Sequence, residues 1–270
     1  MDAAKVILIT GASSGLGLAQ GRLLVSKGYR VYGTARNPER YPDFDAFPLL
    51  SLDVRDEASV KRLTSQLMQL EGKIDVLVNN AGMGITGPVE ETPHAENLLA
   101  LETNFHGPLH MMRAVLPVMR EQGSGLIVNV TSIAGYMGLP FRGMYSASKA
   151  ALHVVSEAVR MEVRGQGIHV CTLAPGDYAT NIAAGRFHSP LEEVSAYRDS
   201  YGMSLELMNA HVSSGGDPIE VARKLLKIVQ SANPRVHYAV GSPMQRLSIV
   251  LKRMLPARIF ERLLRNHYKL

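Results

Sequence analysis

The 270-residue chain has 46% hydrophobic and 20% charged residues, a balance that supports one large core and argues against a disordered protein. Its single cysteine, Cys171, cannot form an intramolecular disulfide, which favours a reducing compartment such as the cytoplasm. No run of about 18 apolar residues occurs, so no transmembrane helix is expected. The net charge is +5, and residues 243–270 alone carry +6, with seven Lys and Arg residues against one Glu, so the rest of the chain is nearly neutral at −1. Because basic residues are not spread over a recognition face, we expect no nucleic-acid partner.

Apolar runs and helical periodicity alternate along the chain. In order, they predict a strand at 5–10, a helix at 15–27, a strand at 30–35, a helix at 57–70, a strand at 74–78, one or two helices at 96–121, a strand at 126–131, a helix at 145–164, a strand at 168–173, a helix at 218–229 and a strand at 235–240. This alternation predicts a doubly wound α/β fold, a parallel sheet with helices on both faces. Because neither a repeat nor a linker interrupts the sequence, we expect one domain over residues 1–270.

A glycine-rich turn, Gly11-Ala12-Ser13-Ser14-Gly15-Leu16-Gly17, lies between the first predicted strand and the first helix. Glycine lets backbone amides approach a phosphate closely, and the N-terminus of the helix adds partial positive charge. The spacing is GxxxGxG, which is a weak signal alone because glycine turns commonly follow strands. Its place between a strand and a helix favours a dinucleotide cofactor.

Tyr145 and Lys149 are four residues apart in the predicted helix that starts at Tyr145. At this spacing both side chains lie on one helix face, where the ammonium can favour the ionised form of the phenol. The alternative is that Lys149 is a solvated surface residue and that Tyr145 packs in the core.

Four motifs occur in order, each at the end of a predicted strand or early in the helix after it. They are Thr10-Gly11-xxx-Gly15-x-Gly17, Asn79-Asn80-Ala81-Gly82, Ser132, and Tyr145-xxx-Lys149. Together they resemble the short-chain dehydrogenase/reductase family over residues 5–180. The resemblance implies a Rossmann-type fold and an enzyme that transfers a hydride between a nicotinamide cofactor and a carbonyl or secondary alcohol. It implies a cofactor-binding and catalytic core at about 5–180, a substrate loop at about 181–215 and a C-terminal extension at about 243–270.

The resemblance also assigns catalytic roles. Tyr145 becomes the proton donor or acceptor, while Lys149 assists it and binds the nicotinamide ribose. Ser132 holds the substrate oxygen, and Asn104 supports a water-linked proton path from Lys149. For Ser132 and Asn104 taken singly, strand-end capping and helix packing remain alternatives.

Further positions are expected to bind the cofactor by the same resemblance. Phosphate contacts fall on Gly11, Ser13, Ser14, Gly15, Leu16 and Gly17. The adenosine end falls on Asp53, Val54, Asn80, Ala81 and Gly82, and the nicotinamide end on Tyr145, Lys149, Pro175, Gly176, Tyr178 and Thr180. Tyr178 stands where the family usually has valine, so its side chain is expected to crowd the site or shape its mouth. No metal ligand is expected, since His188 and His211 have no partners at a recognisable spacing.

The end of the second strand predicts which cofactor is used. Enzymes that use NAD usually place an acid there, whereas this chain has Thr34-Ala35-Arg36-Asn37. A guanidinium binds phosphate well, so NADP(H) is expected. The alternative is that Arg36 is a solvated turn residue or stacks on the adenine without selecting the phosphate.

The substrate is expected to be hydrophobic, such as a steroid, retinoid or keto-lipid. Met137, Leu139 and Phe141 lie between Ser132 and Tyr145, and residues 176–215 have no regular pattern and read as an irregular substrate lid. That region is mostly apolar or amphipathic, and we see no arginine cluster for a phosphate or carboxylate. TARNPER and the long C-terminal region most resemble the branch with hydroxysteroid and retinol dehydrogenases and acyl-dihydroxyacetone-phosphate reductases. The alternative is that these Met and Leu residues pack on the fold itself.

Two functions of other classes remain open. A cofactor-binding regulator without catalysis would be expected to lack Tyr145 or Lys149, and this chain has both. A peripheral lipid-binding protein would use the fold only as a scaffold and would not consume NADPH.

Residues 243–270 predict two short basic amphipathic helices, with Pro256 near the start of the second. These helices either cover the protein's own apolar surface beside the substrate site or dock on an anionic membrane. The resemblance also implies a homodimer or homotetramer, paired through helices near 104–121 and 145–164.

Overall fold

The computed structural model describes residues 4–178, 185–213 and 215–270. Its strands are β1 Val6–Ile9, β2 Arg30–Ala35, β3 Leu49–Ser51, β4 Val76–Asn79, β5 Ile85–Thr86, β6 Gly125–Val130, β7 Ile168–Pro175, β8 Phe187–His188 and β9 His237–Val240. Its α-helices are α1 Gly15–Ser26, α2 Glu57–Glu71, α3 His94–Leu101, α4 Gly107–Gln122, α5 Gly143–Glu162, α6 Arg198–Ser213, α7 Ile219–Val229, α8 Pro243–Met254 and α9 Ala257–Tyr268. The expected alternation of strands and helices is confirmed.

Seven strands form one parallel sheet in the order β3-β2-β1-β4-β6-β7-β9, and β5 pairs with β8 beside it. The chain winds outward from β1 in one direction and from β4 in the other, so the order reverses between these two strands. In doubly wound sheets the crevice at such a reversal, outside the carboxyl ends of the strands, is where ligands bind. The fold therefore places the glycine-rich turn after β1 at this crevice.

Each face of the sheet has its own apolar core because side chains alternate along a strand. Ile7 and Ile9 of β1 pack on one face with α1 and α7, and Leu8 packs on the other with α2 and α4. All three side chains are completely buried. Burial on both faces requires continuous apolar strands, which is why these strands could be recognised in the sequence.

The prediction that residues 176–215 are irregular is wrong for their second half, which forms α6. Its inward stripe consists of Tyr201, Ser204 and Met208. A serine in the stripe and Gly202 beside it weaken the periodic apolar signal that predicts a helix. The short edge strand β3 was also not predicted.

The two predicted C-terminal helices are confirmed as α8 and α9. A capping box starts α8: Ser242 Oγ accepts from the Gln245 amide at 3.3 Å, and Gln245 Oε1 accepts from the Ser242 amide at 3.1 Å. Phe260 packs on Ile133 and Met137, just after the β6 end. The helices thus cover apolar surface beside Ser132. None of the helices within the described ranges has the length and apolar character to cross a bilayer.

Two histidines and a glutamate join α5 to β9. The His153 and His237 rings stack with centroids 4.2 Å apart and planes 18° apart. Glu157 Oε1 lies 2.9 Å from His237 Nε2 and 3.5 Å from His153 Nε2. Burial lowers the pKa of His153 to about 4, so its ring is neutral near pH 7. Because nearly parallel rings do not direct their lone pairs to one point, we assign these residues a packing role.

Candidate active site

The glycine-rich turn presents backbone amides at the crevice. Gly11 and Gly15 have φ angles of 64° and 55°, which residues with a Cβ rarely adopt. Ser14 is the N-cap of α1 but makes no side-chain capping bond, so the first amides of the helix are available to a ligand. A Cβ at Gly17 would lie 2.5 Å from the Gly11 carbonyl oxygen, so Gly17 permits close packing of α1 on the turn.

A hydrogen-bond network joins this turn to the loop after β4. Asn80 Nδ2 donates to the carbonyls of Thr10 and Gly11 at 3.0 and 2.9 Å. Thr10 Oγ1 accepts from the amides of Asn80 and Ala81 at 3.0 and 2.9 Å. These bonds fix the two walls of the crevice relative to each other.

The crevice is a cavity of about 770 Å³, within the range of small-molecule and cofactor sites. Eleven of the predicted cofactor positions line it: Gly11, Ser13, Ser14, Gly15, Leu16, Arg36, Asp53, Val54, Asn80, Ala81 and Gly82. Gly17 does not, because it faces the turn. Among the further residues that line the cavity are Arg40, Tyr41 and Arg55, which the sequence analysis missed.

The arginines of this cavity differ in their partners. Arg55 donates twice to the Asp53 carboxylate, at 2.9 and 2.5 Å, and these bonds lower the pKa of Asp53. Arg36 and Arg40 are exposed and make no ion pair within the described part of the chain. Two guanidinium groups therefore remain for an anion at the end of β2.

Ser132 and Tyr145 meet at a second, smaller cavity at the carboxyl end of β6. Ser132 caps a 3₁₀ turn, Ile133–Tyr136, and its Oγ accepts from the Ala134 amide at 3.1 Å. The same Oγ lies 3.5 Å from the Pro175 carbonyl oxygen, a weak contact that leaves its proton largely available. Tyr145 is 9% exposed at the start of α5, so it packs in the core and also lines this cavity.

Lys149 lies one turn after Tyr145 and is only 5% exposed. Its Nζ donates to the Val130 carbonyl at 3.0 Å, and no carboxylate pairs with it among the described residues. Burial lowers the pKa of Lys149 to about 8. The alternative of a solvated surface lysine is therefore wrong.

Asn104 is completely buried in a π-helical turn, Glu102–His106, that joins α3 to α4. Its Oδ1 accepts from the Met83 amide at 2.8 Å, and its Nδ2 donates to the Met83 carbonyl at 2.9 Å and to Ser148 Oγ at 3.1 Å. A Cβ at Gly82 would lie 3.0 Å from Asn104 Oδ1 and 3.3 Å from Lys149 Nζ. Asn104 thus fixes the loop after β4, and the Lys149 ammonium lies beside this loop.

The smaller cavity of about 100 Å³ contains the remaining predicted positions that the structure describes. Pro175, Gly176 and Tyr178 line it with Ser132, Tyr145 and Lys149. Thr180 lies outside the described residues. Tyr178 is 4% exposed, and its hydroxyl donates to Glu220 at 3.2 Å, so the ring is directed toward α7. It forms part of the wall and does not fill the cavity.

An apolar groove of about 830 Å³ continues from Ser132 and Gly176 to the C-terminal helices. Its far side is formed by Leu251, Phe260, Leu263, Leu264 and Tyr268. Among the described residues of 181–215, the segment expected to form a substrate loop, only Gly215 lines it. Helices α8 and α9 form this wall of the groove.

Two arginines that the sequence analysis did not single out also line the smaller cavity. Arg142 and Arg186 both line the cavity of Ser132 and Tyr145, together with Asp177. These residues come from separate segments of the chain, so no local pattern in the sequence brings them together.

The comparisons with known proteins agree with this geometry. A family model described as short chain dehydrogenase matches residues 5–190. A 3-ketodihydrosphingosine reductase from Bacteroides thetaiotaomicron is 38% identical, over 98% of this chain and 98% of its own. A solved short-chain dehydrogenase from Streptomyces avermitilis is 34% identical with a TM-score of 0.83, covering 98% of this chain and 99% of that one.

Solved relatives bind either nicotinamide dinucleotide. ElxO with NADP bound is 25% identical with a TM-score of 0.73, covering 88% of this chain and 97% of that one. A short-chain dehydrogenase/reductase from Burkholderia phymatum in complex with NAD is 26% identical with a TM-score of 0.78, covering 92% of each chain. The chain belongs to the short-chain dehydrogenase family and is a dehydrogenase/reductase that acts on CH–OH or C=O groups.

Proposed function

We propose that the protein is an NADP(H)-dependent oxidoreductase that interconverts a ketone and a secondary alcohol on a hydrophobic substrate. One observation carries this proposal. The cavity of Ser132, Tyr145 and Lys149 shares Leu16, Asn80 and Gly82 with the crevice, and it shares Ser132 and Gly176 with the apolar groove. The reacting groups therefore stand where a cofactor site and a lipophilic site meet.

The residues of the crevice fit a nicotinamide dinucleotide. The uncapped amides after Ser14 suit the pyrophosphate, and a side chain at Gly11 would meet Ala81, so the backbone approach is kept open. Asp53 and Val54 would hold the adenine, Asn80, Ala81 and Gly82 the adenosine side, and Tyr145, Lys149, Pro175, Gly176 and Tyr178 the nicotinamide end. The bound nicotinamide supplies or accepts the hydride.

The protein's own groups manage the proton and the developing charge. In the reductive direction, the Ser132 hydroxyl donates a hydrogen bond to the substrate oxygen, and Tyr145 Oη delivers the proton to the same atom. The Lys149 ammonium stabilises the negative charge left on Tyr145. Asn104 acts as a positioning residue, since it holds Met83 and the loop that borders Lys149.

The Tyr145→Phe substitution removes the proton donor and leaves the packing of the ring intact. We expect kcat to fall by about 10²–10⁴-fold while the Kd for NADPH stays unchanged. NADPH oxidation measured with a panel of hydrophobic ketones, 3-ketodihydrosphingosine and 3-oxododecanoate included, tests this together with the proposed function. Tyr136→Phe, on the neighbouring 3₁₀ turn, is the control. Turnover of the Tyr145 variant close to wild type would disprove the mechanism, and an inactive wild type on the whole panel would disprove the function.

The preference for NADP(H) is supported by the end of β2. Arg36 lines the crevice, and no acid occupies the Thr34–Asn37 segment to bind ribose hydroxyls in its place. Arg40 adds a second unpaired cation to the same wall. A 2′-phosphate at this position would meet two guanidinium groups and no carboxylate of the segment.

Arg36→Ala should weaken NADPH more than NADH. A charge-assisted hydrogen bond contributes about 1.5–3 kcal/mol, so the Kd for NADPH should rise by about 10- to 100-fold. Fluorescence titration of both cofactors measures the difference, with the exposed Arg22→Ala on α1 as the control. An equal loss for NADPH and NADH would show that Arg36 does not distinguish the phosphate.

We further infer pairing of two copies through α4 and α5. On α5 the apolar side chains of Val154 and Met161 are 64% and 69% exposed. Exposed apolar surface of this kind is typical of protein–protein contact sites. Two-fold contact between such faces would bury them. We expect sedimentation velocity to show a dimer or tetramer at micromolar concentration, and Val154→Glu to shift it toward monomer. A wild-type protein that sediments only as a monomer would contradict the pairing.

The C-terminal helices also support docking on an anionic membrane. Met244 and Met254 are 71% and 76% exposed, although Phe260 on the next helix is buried. All seven basic residues of 243–270 are exposed: Arg246, Lys252, Arg253, Arg258, Arg262, Arg265 and Lys269. An apolar surface with flanking cations suits the interface of an anionic bilayer, where each cation contributes about 1 kcal/mol.

Because α8 and α9 line the apolar groove, deletion of residues 243–270 would disturb the substrate site as well. Point substitutions separate the two roles. We expect the wild type to co-sediment with anionic vesicles in low salt and not with neutral ones. The double variant Val250→Ser, Met254→Ser should lose most of this binding, because these side chains are 47% and 76% exposed and lie outside the groove lining. Leu70→Ser, which removes a 57% exposed apolar side chain from α2, serves as the control. Equal binding to neutral and anionic vesicles would contradict the docking.

A further inference from the structure

Two arginines beside the reacting groups have no role in the proposed proton and hydride chemistry. Arg142 immediately precedes α5, and its side chain is 15% exposed. Arg186 immediately precedes β8, a different segment of the chain, and lines the same cavity. Both line the wall that also contains Tyr145.

Arg186 has an unused donor. Its Nη1 is buried and has no hydrogen-bond partner among the described residues. The stem lies over Gly84, where a Cβ would be 2.9 Å from Arg186 Cγ, so the guanidinium is held in place by packing. Burial and the neighbouring charge of Arg142 lower the pKa of Arg186. A buried donor on a cation is costly unless a ligand pairs with it.

Arg142 is only partly neutralised. Its Nη1 is 4.0 Å from Asp177 Oδ1, the outer limit of an ion pair, and its guanidinium carbon is 5.3 Å from the centroid of the Tyr145 ring. The other oxygen of Asp177 accepts from Gln245 Nε2 at 2.8 Å. This carboxylate is therefore shared and does not fully balance Arg142.

The charges that line the cavity are unequal. Among the described residues, Arg142, Lys149 and Arg186 face a single carboxylate, Asp177. Lys149 donates to the Val130 carbonyl and is assigned to Tyr145 in the proposed mechanism, which leaves two guanidinium groups against one shared acid. An excess of positive charge at a largely buried site favours an anionic ligand.

We propose that Arg142 and Arg186 bind an anionic group of the substrate, a carboxylate or a phosphate, close to the reacting carbonyl. The apolar part of the same molecule then extends into the groove between Ser132 and the C-terminal helices. The substrate class is an anionic amphiphile with a keto or hydroxyl group near its charged end. This inference rests on the proposed function and narrows its substrate.

Steady-state kinetics with matched substrates test the site. The probes are 3-oxododecanoate, its uncharged methyl ester, and a long-chain keto alkyl phosphate. We expect the wild type to have a KM for the acid about tenfold below that for the ester. Arg186→Met should raise the KM for the anionic substrates about 10- to 100-fold, with little effect on the ester or on the Kd for NADPH. Arg223→Met, an exposed arginine on α7, should match the wild type.

A binding experiment keeps this inference distinct from the proposed function. Calorimetry of the NADP⁺-loaded protein should show a lower Kd for dodecanoate or dodecyl phosphate than for dodecanol. The Arg186→Met substitution should abolish this difference in Kd. If the Arg186→Met variant loses this difference in Kd but the wild type reduces no ketone, the anion site is supported and the proposed reductase function is refuted. Equal affinity for the acid and the alcohol would overturn the inference. A large loss of NADPH affinity in Arg186→Met would also overturn it, because Arg186 would then bind the cofactor.

Discussion

The buried ammonium of Lys149 is the constraint around which the active site is organised. A cation without a carboxylate partner is expensive in a protein interior, and its pKa of about 8 expresses that cost. One bond to the Val130 carbonyl fixes the ammonium at the end of β6. A Cβ at Gly82 would lie 3.3 Å from this nitrogen, a tight contact that glycine avoids. A single charged group therefore lies where three elements meet: helix α5, the end of β6 and the loop after β4.

Apolar strands and spaced glycines made much of this fold predictable, because burial on both sheet faces and close backbone approach restrict residue choice locally. The roles expected for Ser132, Tyr145 and Lys149 came from the resemblance to the short-chain dehydrogenase/reductase family, and the three residues line one cavity. Helix α6 was missed because Ser204 and Gly202 weaken its apolar periodicity. The π-helical turn at Asn104 and the pairing of Asp53 with Arg55 depend on side-chain contacts that spacing does not encode. Arg142 and Arg186 are far apart in the sequence, so only the folded chain shows that they share a cavity.

The C-terminal helices combine the two features that their sequence predicts, an apolar face against the protein and an exposed apolar surface among basic residues. Phe260 and Tyr268 are directed inward and close the apolar groove, whereas Val250 and Met254 are exposed on α8, which also carries basic residues. An amphipathic pattern alone reports that a helix has an apolar face. It does not report that two consecutive helices divide their apolar residues between the core and the surface.

The three regions of the site are arranged along the chain in a fixed order. The dinucleotide crevice is built mainly from residues before Met83, the reacting groups come from the middle, and the groove is closed by α8 and α9 at the end of the sequence. Helices α8 and α9 are the last elements to leave the ribosome, so the groove is the last of the three regions whose residues are all present. A partly made chain would have the groups for hydride transfer and no enclosed place for a lipophilic molecule to react.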